Sequence, residues 1–276
     1  MAPAEPAHVD GASDPRLADF RRLNDTAFRR TVETATSFDR GFFVTEGWLG
    51  LERLLDSHHE VRRVLVADNR LDRLAALRGL PLERVLVAPQ RVVDAVVGFS
   101  LHRGVVASAT RPRPRLTQHV IGRSRRLVVV EGVNDAENLG TLFRNAAALG
   151  ADGALLDPTC CDPLTRRTIR VSMGPVLGVE WARAAWPETL VTLREQGFEV
   201  VALSPSPDAA PIDQIEVAPG RPIAVMVGAE GPGLSQLALD GATIIARIPM
   251  ARGIDSLNVG AAAAIAFHRL FASEPR

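Results

Sequence analysis

Apolar positions along this chain recur in two rhythms: short runs of β-branched and leucine residues, and longer stretches with helical spacing. Residues 1–15, rich in Ala, Pro, Asp and Gly, read as a loose leader. Residues 16–36 have apolar spacing compatible with one surface helix. After a turn at Asp39-Arg40-Gly41, FFVTEG reads as a strand, and WLGLERLLDS then sets Trp48, Leu51, Leu54 and Leu55 on one helical face. VRRVLVAD and ERVLVAP are two more strands, separated by a Leu- and Arg-rich helical segment. VVDAVVG predicts a helix and GVVASA a closing strand. The alternation over residues 38–110 predicts a small α/β domain. Residues 111–118, RPRPRLTQ, contain two X-Pro steps that disfavour helix and remove backbone donors, so they read as an interdomain linker.

The second half alternates more strongly. RLVVVEGV is a β-branched run of the kind typical of a buried parallel strand. Leu139, Leu142, Phe143 and Ala146 predict a helix over 138–149. GALLD, FEVVALS, PIAVMVG and TIIARIPM predict strands, and GPVLGVEW a strand region. TRRTIRVSM, residues 187–196 and SLNVGAAAAIAFHRLF predict helices. The pattern is an open, doubly wound α/β sheet with helices on both faces. The last helix is small and apolar all round, from Gly260 and Ala261 through Ile265 to Phe267. Such a helix is generally buried on more than one side, and here the second cover would be another subunit.

Composition changes this picture in three places. Hydrophobic residues make up 46% of the 276, enough for a sizeable core, and no apolar run is long enough to span a bilayer. The N-terminus lacks the basic-then-apolar pattern of a secretory signal, so a cytoplasmic location is expected. The two cysteines, Cys160 and Cys161, are adjacent, which rules out a disulfide framework and supplies no second pair for zinc, so no metal is expected. The net charge of zero hides an asymmetry: residues 1–130 hold 21 Arg against 15 acids, and residues 131–276 hold 11 against 17. No acid lies between Asp94 and Glu131, a tract containing Arg103, Arg111, Arg113 and Arg115. Such a tract attracts phosphates through a salt-sensitive field, or serves as a solvated linker whose charge aids solubility.

Three loops follow predicted strand ends, where ligands of open α/β sheets usually sit. They are EGVNDAENLGTLFR (131–144), GAEGPGLS (228–235) and IPMARGIDSLN (248–258). The glycines of the second run G-x-x-G-x-G, the wrong order for a dinucleotide fingerprint, and no Lys follows to make a phosphate loop. Taken alone, Arg144 fits a surface helix arginine, Glu230 a solvated loop carboxylate, and Ser256 with Asn258 a helix cap.

Together the loops resemble the three motifs of the SpoU (TrmH) family of the SPOUT methyltransferase superfamily. They appear as N-L-G-T-L-F-R from Asn138 to Arg144, V-G-A-E-G-P-G-L-S from Val227 to Ser235, and I-P-M…S-L-N-V from Ile248 to Val259. FVTEGWLGLERLL and HRGVVASA are similar to the start and end of that family's L30e-like substrate-binding domain. The resemblance implies an extension over 1–37, an L30e-like α/β RNA-binding domain over 38–110, a linker over 111–120, and a SPOUT domain with a deep trefoil knot over 121–276. It implies S-adenosylmethionine as cofactor, contacted at Gly228, Ile248 and Leu257, with Gly233 and Met250 in the same loops. It implies a homodimer, and ribose 2′-O-methylation of structured RNA, ribosomal RNA favoured over tRNA. Arg144 becomes the main catalytic candidate, with Asn138, Glu230, Ser256 and Asn258 as polar motif residues orienting it, the ribose or the loops. A guanidinium is almost always protonated, so clamping a phosphate and stabilising the developing alkoxide suit Arg144 better than acting as a base. The base is left open among that phosphate, water and Arg144 itself. Many members carry Ser after L-N-V, where this chain has Gly260. Arg103, Arg111, Arg113 and Arg115 become RNA-binding candidates. The competing expectation is a non-catalytic RNA-binding or ribosome-assembly protein that kept the fold.

Overall fold

The structure, a computed structural model, describes residues 5–33 and 41–271. The chain forms two compact units, Met1–Arg113 with Leu164–Gly178, and Pro114–Pro163 with Val179–Arg276. The first unit contains β1 (Ala7–His8), α1 (Thr26–Glu33), β2 (Phe42–Glu46), α2 (Trp48–Leu55), β3 (Val61–Ala67), β4 (Val85–Ala88), α3 (Gln90–Val97) and β5 (Val105–Thr110). Its five-stranded sheet has the order β1-β4-β3-β5-β2, with β5 antiparallel to both neighbours. The predicted helical segment between β3 and β4 is a run of 3-10 turns, Asp68–Ala76.

The N-terminal segments differ from the sequence expectation. The leader is not loose over its described part: Ala7 and His8 pair with Leu86 and Val87, and Val9 is buried. Residues 16–36 are not one surface helix. A 3-10 turn, Pro15–Phe20, buries Leu17 and Phe20 completely, and the chain then breaks at Arg22, whose φ is 52°. There the N–H groups of Arg22 and Leu23 donate to Val96 and Val97 at the end of α3, each at 2.9 Å. Long-range backbone bonds and the burial of Leu17, Phe20 and Leu23 in one core cluster outweigh the local helical period. Residues 34–36, the Asp39-Arg40 part of the expected turn and the first residues of the expected 38–110 domain lie outside the described residues.

The second unit continues with α4 (Thr117–Gly122), β6 (Arg126–Glu131), α5 (Ala136–Leu149) and β7 (Gly153–Leu156). The following helix, α6 (Arg166–Ser172), belongs to the first unit and packs on β2, so the stretch 164–178 leaves the region that the sequence pattern assigned to one domain. After it come β8 (Glu180–Arg183), α7 (Glu188–Glu195), β9 (Glu199–Leu203), β10 (Ala210–Pro211), β11 (Ile223–Gly228), α8 (Gln236–Asp240), β12 (Ile244–Arg247) and α9 (Val259–Phe271). The seven-stranded sheet is parallel throughout, in the order β10-β12-β9-β11-β6-β7-β8.

Strands β6 and β11 sit at its centre, and Leu127 to Val130 and Ala224 to Val227 are buried, as expected for strands covered on both faces. From β6 the chain runs outward to β8, crosses back to β9, and later inserts β11 between β9 and β6. The order of progression reverses at this point, which leaves a crevice beyond the carboxyl ends of the strands. Helix α9 buries Val259, Gly260, Ala263, Ala266, Phe267, Leu270 and Phe271 against α5 and β11, and leaves Ala261 and Ile265 exposed.

Candidate active site beyond β9, β11 and β12

A cavity of about 460 Å³ opens at that crevice. Its walls come from the ends of β9 (Leu203) and β11 (Val227, Gly228), the loop after β11 (Glu230, Gly233), and the chain from β12 to α9 (Ile248, Met250, Ser256, Leu257, Asn258). All five residues expected to contact a cofactor, Gly228, Gly233, Ile248, Met250 and Leu257, line it. Glycine is required at 228 because a Cβ there would lie 2.2 Å from the Gly233 carbonyl carbon. Strand β11 therefore folds back on its own loop, and Gly233 N–H donates to Ala229 at 3.0 Å. Apolar walls, close glycine backbone and a few polar groups at one rim make a lining suited to an adenosyl group, and the volume falls in the usual small-ligand range of roughly 300–1,000 Å³.

That rim holds a linked set of side chains. Asn258 Nδ2 donates to Glu230 Oε1 at 2.6 Å and to Asn138 Oδ1 at 2.9 Å. The other end of the same amide caps α9: Asn258 Oδ1 accepts from Gly260 N–H at 2.9 Å and Ala261 N–H at 3.3 Å. Capping and site assembly are thus two uses of one residue. Asn138 is positioned by its own cap, since Asp135 accepts from Glu137 N–H and Asn138 N–H at 2.9 Å each. One turn on from Thr141, Asn145 donates to the Gly260 carbonyl at 2.7 Å and ties α5 to the start of α9. Gly260 allows this approach: a Cβ there would meet Thr141 Cγ2 at 2.5 Å.

Arg144 makes no contact with this set. It is exposed on α5, does not line the cavity, and its side chain makes no hydrogen bond or ion pair among the described residues. Ser256 lines the cavity and is exposed. The four basic candidates divide. Arg103 and Arg113 are exposed, whereas Arg111 donates to the Phe42 carbonyl at 3.1 Å and Arg115 pairs with Glu180 at 3.2 Å.

Two anchors carry no motif signal in the sequence. Glu131, at the end of β6, accepts from Ser235 N–H and Ser235 Oγ, each at 2.7 Å, and from Trp186 Nε1 at 2.9 Å. It fastens the far end of the glycine loop. Asp157, at the end of β7, accepts from Gly132 N–H and Cys160 N–H at 3.0 Å and from Thr159 Oγ1 at 2.7 Å. Burial opposes its charge, but the bonds from Gly132, Cys160 and Thr159 outweigh that and hold its carboxyl below the usual value. Burial, and then the Asp157 carboxylate beside it, push the Cys160 thiol up to about 12. The one hint in the sequence is that each acid stands at the carboxyl end of a buried strand, Glu131 as its last residue and Asp157 just after it.

Among the described residues no group of three or more His, Cys, Asp or Glu could hold a metal ion, and no helix is long and apolar enough to cross a membrane. A parallel, doubly wound sheet with a glycine-walled cavity at its switch point defines a small-ligand-binding α/β protein. Residues 125–268 match the sequence model of the SpoU rRNA Methylase family, and the chain belongs to that family. A Mycobacterium tuberculosis protein described as an uncharacterized tRNA/rRNA methyltransferase is 45% identical over 262 residues, covering 92% of this chain and 88% of its own. The AdoMet-bound rRNA methyltransferase from Sinorhizobium meliloti superposes with a TM-score of 0.76 at 26% identity, covering 95% of this chain and 96% of that one. A solved RNA 2′-O ribose methyltransferase gives a TM-score of 0.72 at 26% identity, covering 95% and 97%.

Proposed function

We propose that the protein methylates a ribose 2′-hydroxyl of RNA, ribosomal RNA in preference to tRNA, with S-adenosylmethionine as methyl donor. The observation that carries this reading is the Asn138–Asn258–Glu230 link at the rim of the cavity. The sulfonium donor, when bound, supplies an electrophilic methyl group. Gly228, Gly233, Ile248, Met250 and Leu257 would hold its adenosyl end, and Ser256 and Glu230 lie at the polar edge of the same cavity.

The protein's own residues must then bring a weak nucleophile to that methyl. Holding the ribose in line supplies much of the acceleration, because a positioned pair reacts as one molecule. Asn138, Glu230 and Asn258 fix the two loops and the start of α9, so the edge against which the ribose packs is rigid. Arg144, whose side chain is free of protein partners among the described residues, is available to clamp an RNA phosphate and stabilise the developing alkoxide. The S. meliloti relative is an rRNA methyltransferase, which supports ribosomal RNA as the substrate class. The first unit serves as the L30e-like RNA-binding domain, with Arg103 and Arg113 as its open contacts and Arg111 and Arg115 shaping the strand edge and linker.

The same reading includes threading of the chain between the loops after β11 and β12 as a trefoil knot. It also includes a homodimer in which a second copy covers Ala261 and Ile265 on α9, with the exposed Ile254 and Leu257 nearby in sequence. Calorimetry with S-adenosylmethionine and mapping of 2′-O-methyl sites in ribosomal RNA test the function. Binding together with a single gene-dependent 2′-O-methyl site is the expected result. No affinity for the donor, or a methyl on a base, overturns it. The Arg144→Ala variant should lose methyl transfer while keeping its donor affinity, and normal turnover would remove the role given to Arg144.

A further inference from the structure

Five arginines of the first unit gather around one short frame, residues 46–48 and 103–104. Arg166 and Arg170, on α6, pair with the Glu46 carboxylate at 2.7 and 3.4 Å. Arg73 lies over the Trp48 ring at 4.5 Å. The Arg103 side chain runs across Gly47, where a Cβ would meet its Cδ at 2.7 Å, and Arg70 runs across Gly104 in the same way at 2.8 Å. Trp48 Nε1 donates to the Arg103 carbonyl at 2.9 Å and locks the two strand ends together. Both glycines have positive φ, 83° and 66°, so the frame curls in a way a side chain would oppose.

The charges do not balance. Glu46 is the carboxylate facing this group, its side chain is only 8% exposed, and both of its oxygens are already engaged by Arg166 and Arg170. The side chains of Arg70 and Arg103 make no hydrogen bond or ion pair among the described residues, and that of Arg73 has its ring contact alone. Counting the exposed Asp68 and Asp72 of the same segment still leaves five cations against three anions. Holding guanidinium groups this close costs repulsion that a bound polyanion would relieve. Arginine also offers flat, multiply donating contacts suited to phosphates and to base faces.

The geometry points to this surface as the RNA-docking face of the first unit, built jointly by the N-terminal half and by α6 from within the family-matched region. The occupant is the phosphate backbone of structured RNA, and the inference rests on the RNA-methylating function proposed above. It moves the principal contact away from the linker arginines, two of which are occupied, to a ring around Trp48. Arg103 is the member shared with the sequence expectation.

The test uses the full chain with Arg73, Arg103 and Arg170 all changed to Gln, beside a control with Arg78, Arg91 and Arg194 changed to Gln. The control removes the same charge from exposed positions elsewhere. The probe is purified ribosomal RNA, bound at a series of salt concentrations, with phosphatidylserine vesicles as a separate arm. Removing one arginine–phosphate pair flattens the slope of log affinity against log salt by about 0.7–0.9, so the first variant should lower that slope by about two to three, and the control by little. Donor affinity and melting temperature should match wild type in both. An unchanged slope, an equal loss in the control, or patch-dependent capture of vesicles without RNA overturns the inference. These outcomes differ from failure of the function itself, which would show as wild-type RNA binding without any donor affinity.

Discussion

The Glu131 carboxylate receives both hydrogen bonds that Ser235 can donate, from its backbone N–H and its hydroxyl, each at 2.7 Å. The strand that ends in Glu131 is paired with the strand that ends in Gly228, so the two ends of the glycine loop are fixed to one rigid pair. Ser235 in turn caps α8 through the Ala238 N–H at 3.2 Å.

Glu131 is therefore a positioning residue for the cavity wall, acting through Ser235. Hydrogen bonds to a charged group are each worth about 1.5–3 kcal/mol, so Glu131→Ala should weaken donor binding by about tenfold or more. Glu131→Gln keeps one acceptor and should recover part of the loss. RNA affinity should not move in either variant. Calorimetry with S-adenosylmethionine beside RNA titration checks the split, and equal losses in both would mean general unfolding instead.

Asn258 offers a second separation of roles. Asn258→Ala removes the α9 cap, a loss of about 1 kcal/mol, and cuts the link to Asn138 and Glu230. It should lower the melting temperature by about 2–4 °C and abolish methyl transfer. Asn258→Asp keeps an acceptor for the α9 N–H groups but sets a carboxylate against Glu230. It should stay inactive even where its stability approaches wild type. Activity in the Asp variant would show that the Glu230 contact is dispensable.

The cavity is more legible in the sequence than the polar geometry around it. The choice of Gly228, Gly233, Ile248, Met250 and Leu257 comes from the resemblance to the family's motifs, whereas the loops that line the cavity follow apolar strand runs, which is a local signal. The strand pairing that carries them is legible for the same reason. Asn258 reads as a helix cap from local pattern, and it is one; its second amide contact is with residues 28 and 120 positions away, which no local period reveals. Arg144 is legible as a motif residue, but its exposure outside the cavity lining depends on which face of α5 packs on α9. The N-terminal leader and the 16–36 segment depart from expectation because their apolar residues answer to β4 and α3 rather than to each other. The transfer of α6 to the first unit leaves no trace in local pattern, since the Glu46–Arg166 pair spans 120 residues.

Gly260 is explained by its neighbour. The space that a serine would fill is taken by Thr141, whose Cγ2 lies 2.5 Å from where a Cβ would sit. Gly260→Ser should force α5 and α9 apart, costing about 1–3 kcal/mol as in other overpacked sites. Adding Thr141→Ala should restore most of that stability. Thermal melts of the two single variants and the double variant measure the coupling, and additive effects would place the strain elsewhere.

The Asp157–Cys160 pair gives the pH behaviour two opposite edges. Asp157 is held below its usual value in the folded chain, so its contribution is present above the unfolded carboxyl range and is lost as pH falls through the folded value. Cys160 is raised from 9.0 to about 12, so the contribution of its buried neutral thiol is complete below 9 and is lost as pH rises toward 12. Only the thiolate attacks disulfide reagents, and burial also denies them access. At pH 8 the native protein should therefore leave Cys160 unlabelled for as long as it stays folded, and denaturant should expose it. Asp157→Asn removes the charge that adds to burial in raising the thiol and also weakens the clamp on Gly132. It should speed native labelling of Cys160 and shrink the loss of stability between pH 9 and 12. Labelling followed by peptide mapping reads the first, and urea unfolding across that pH range reads the second. Rapid labelling of Cys160 in the folded wild-type protein would contradict both the burial and the raised thiol.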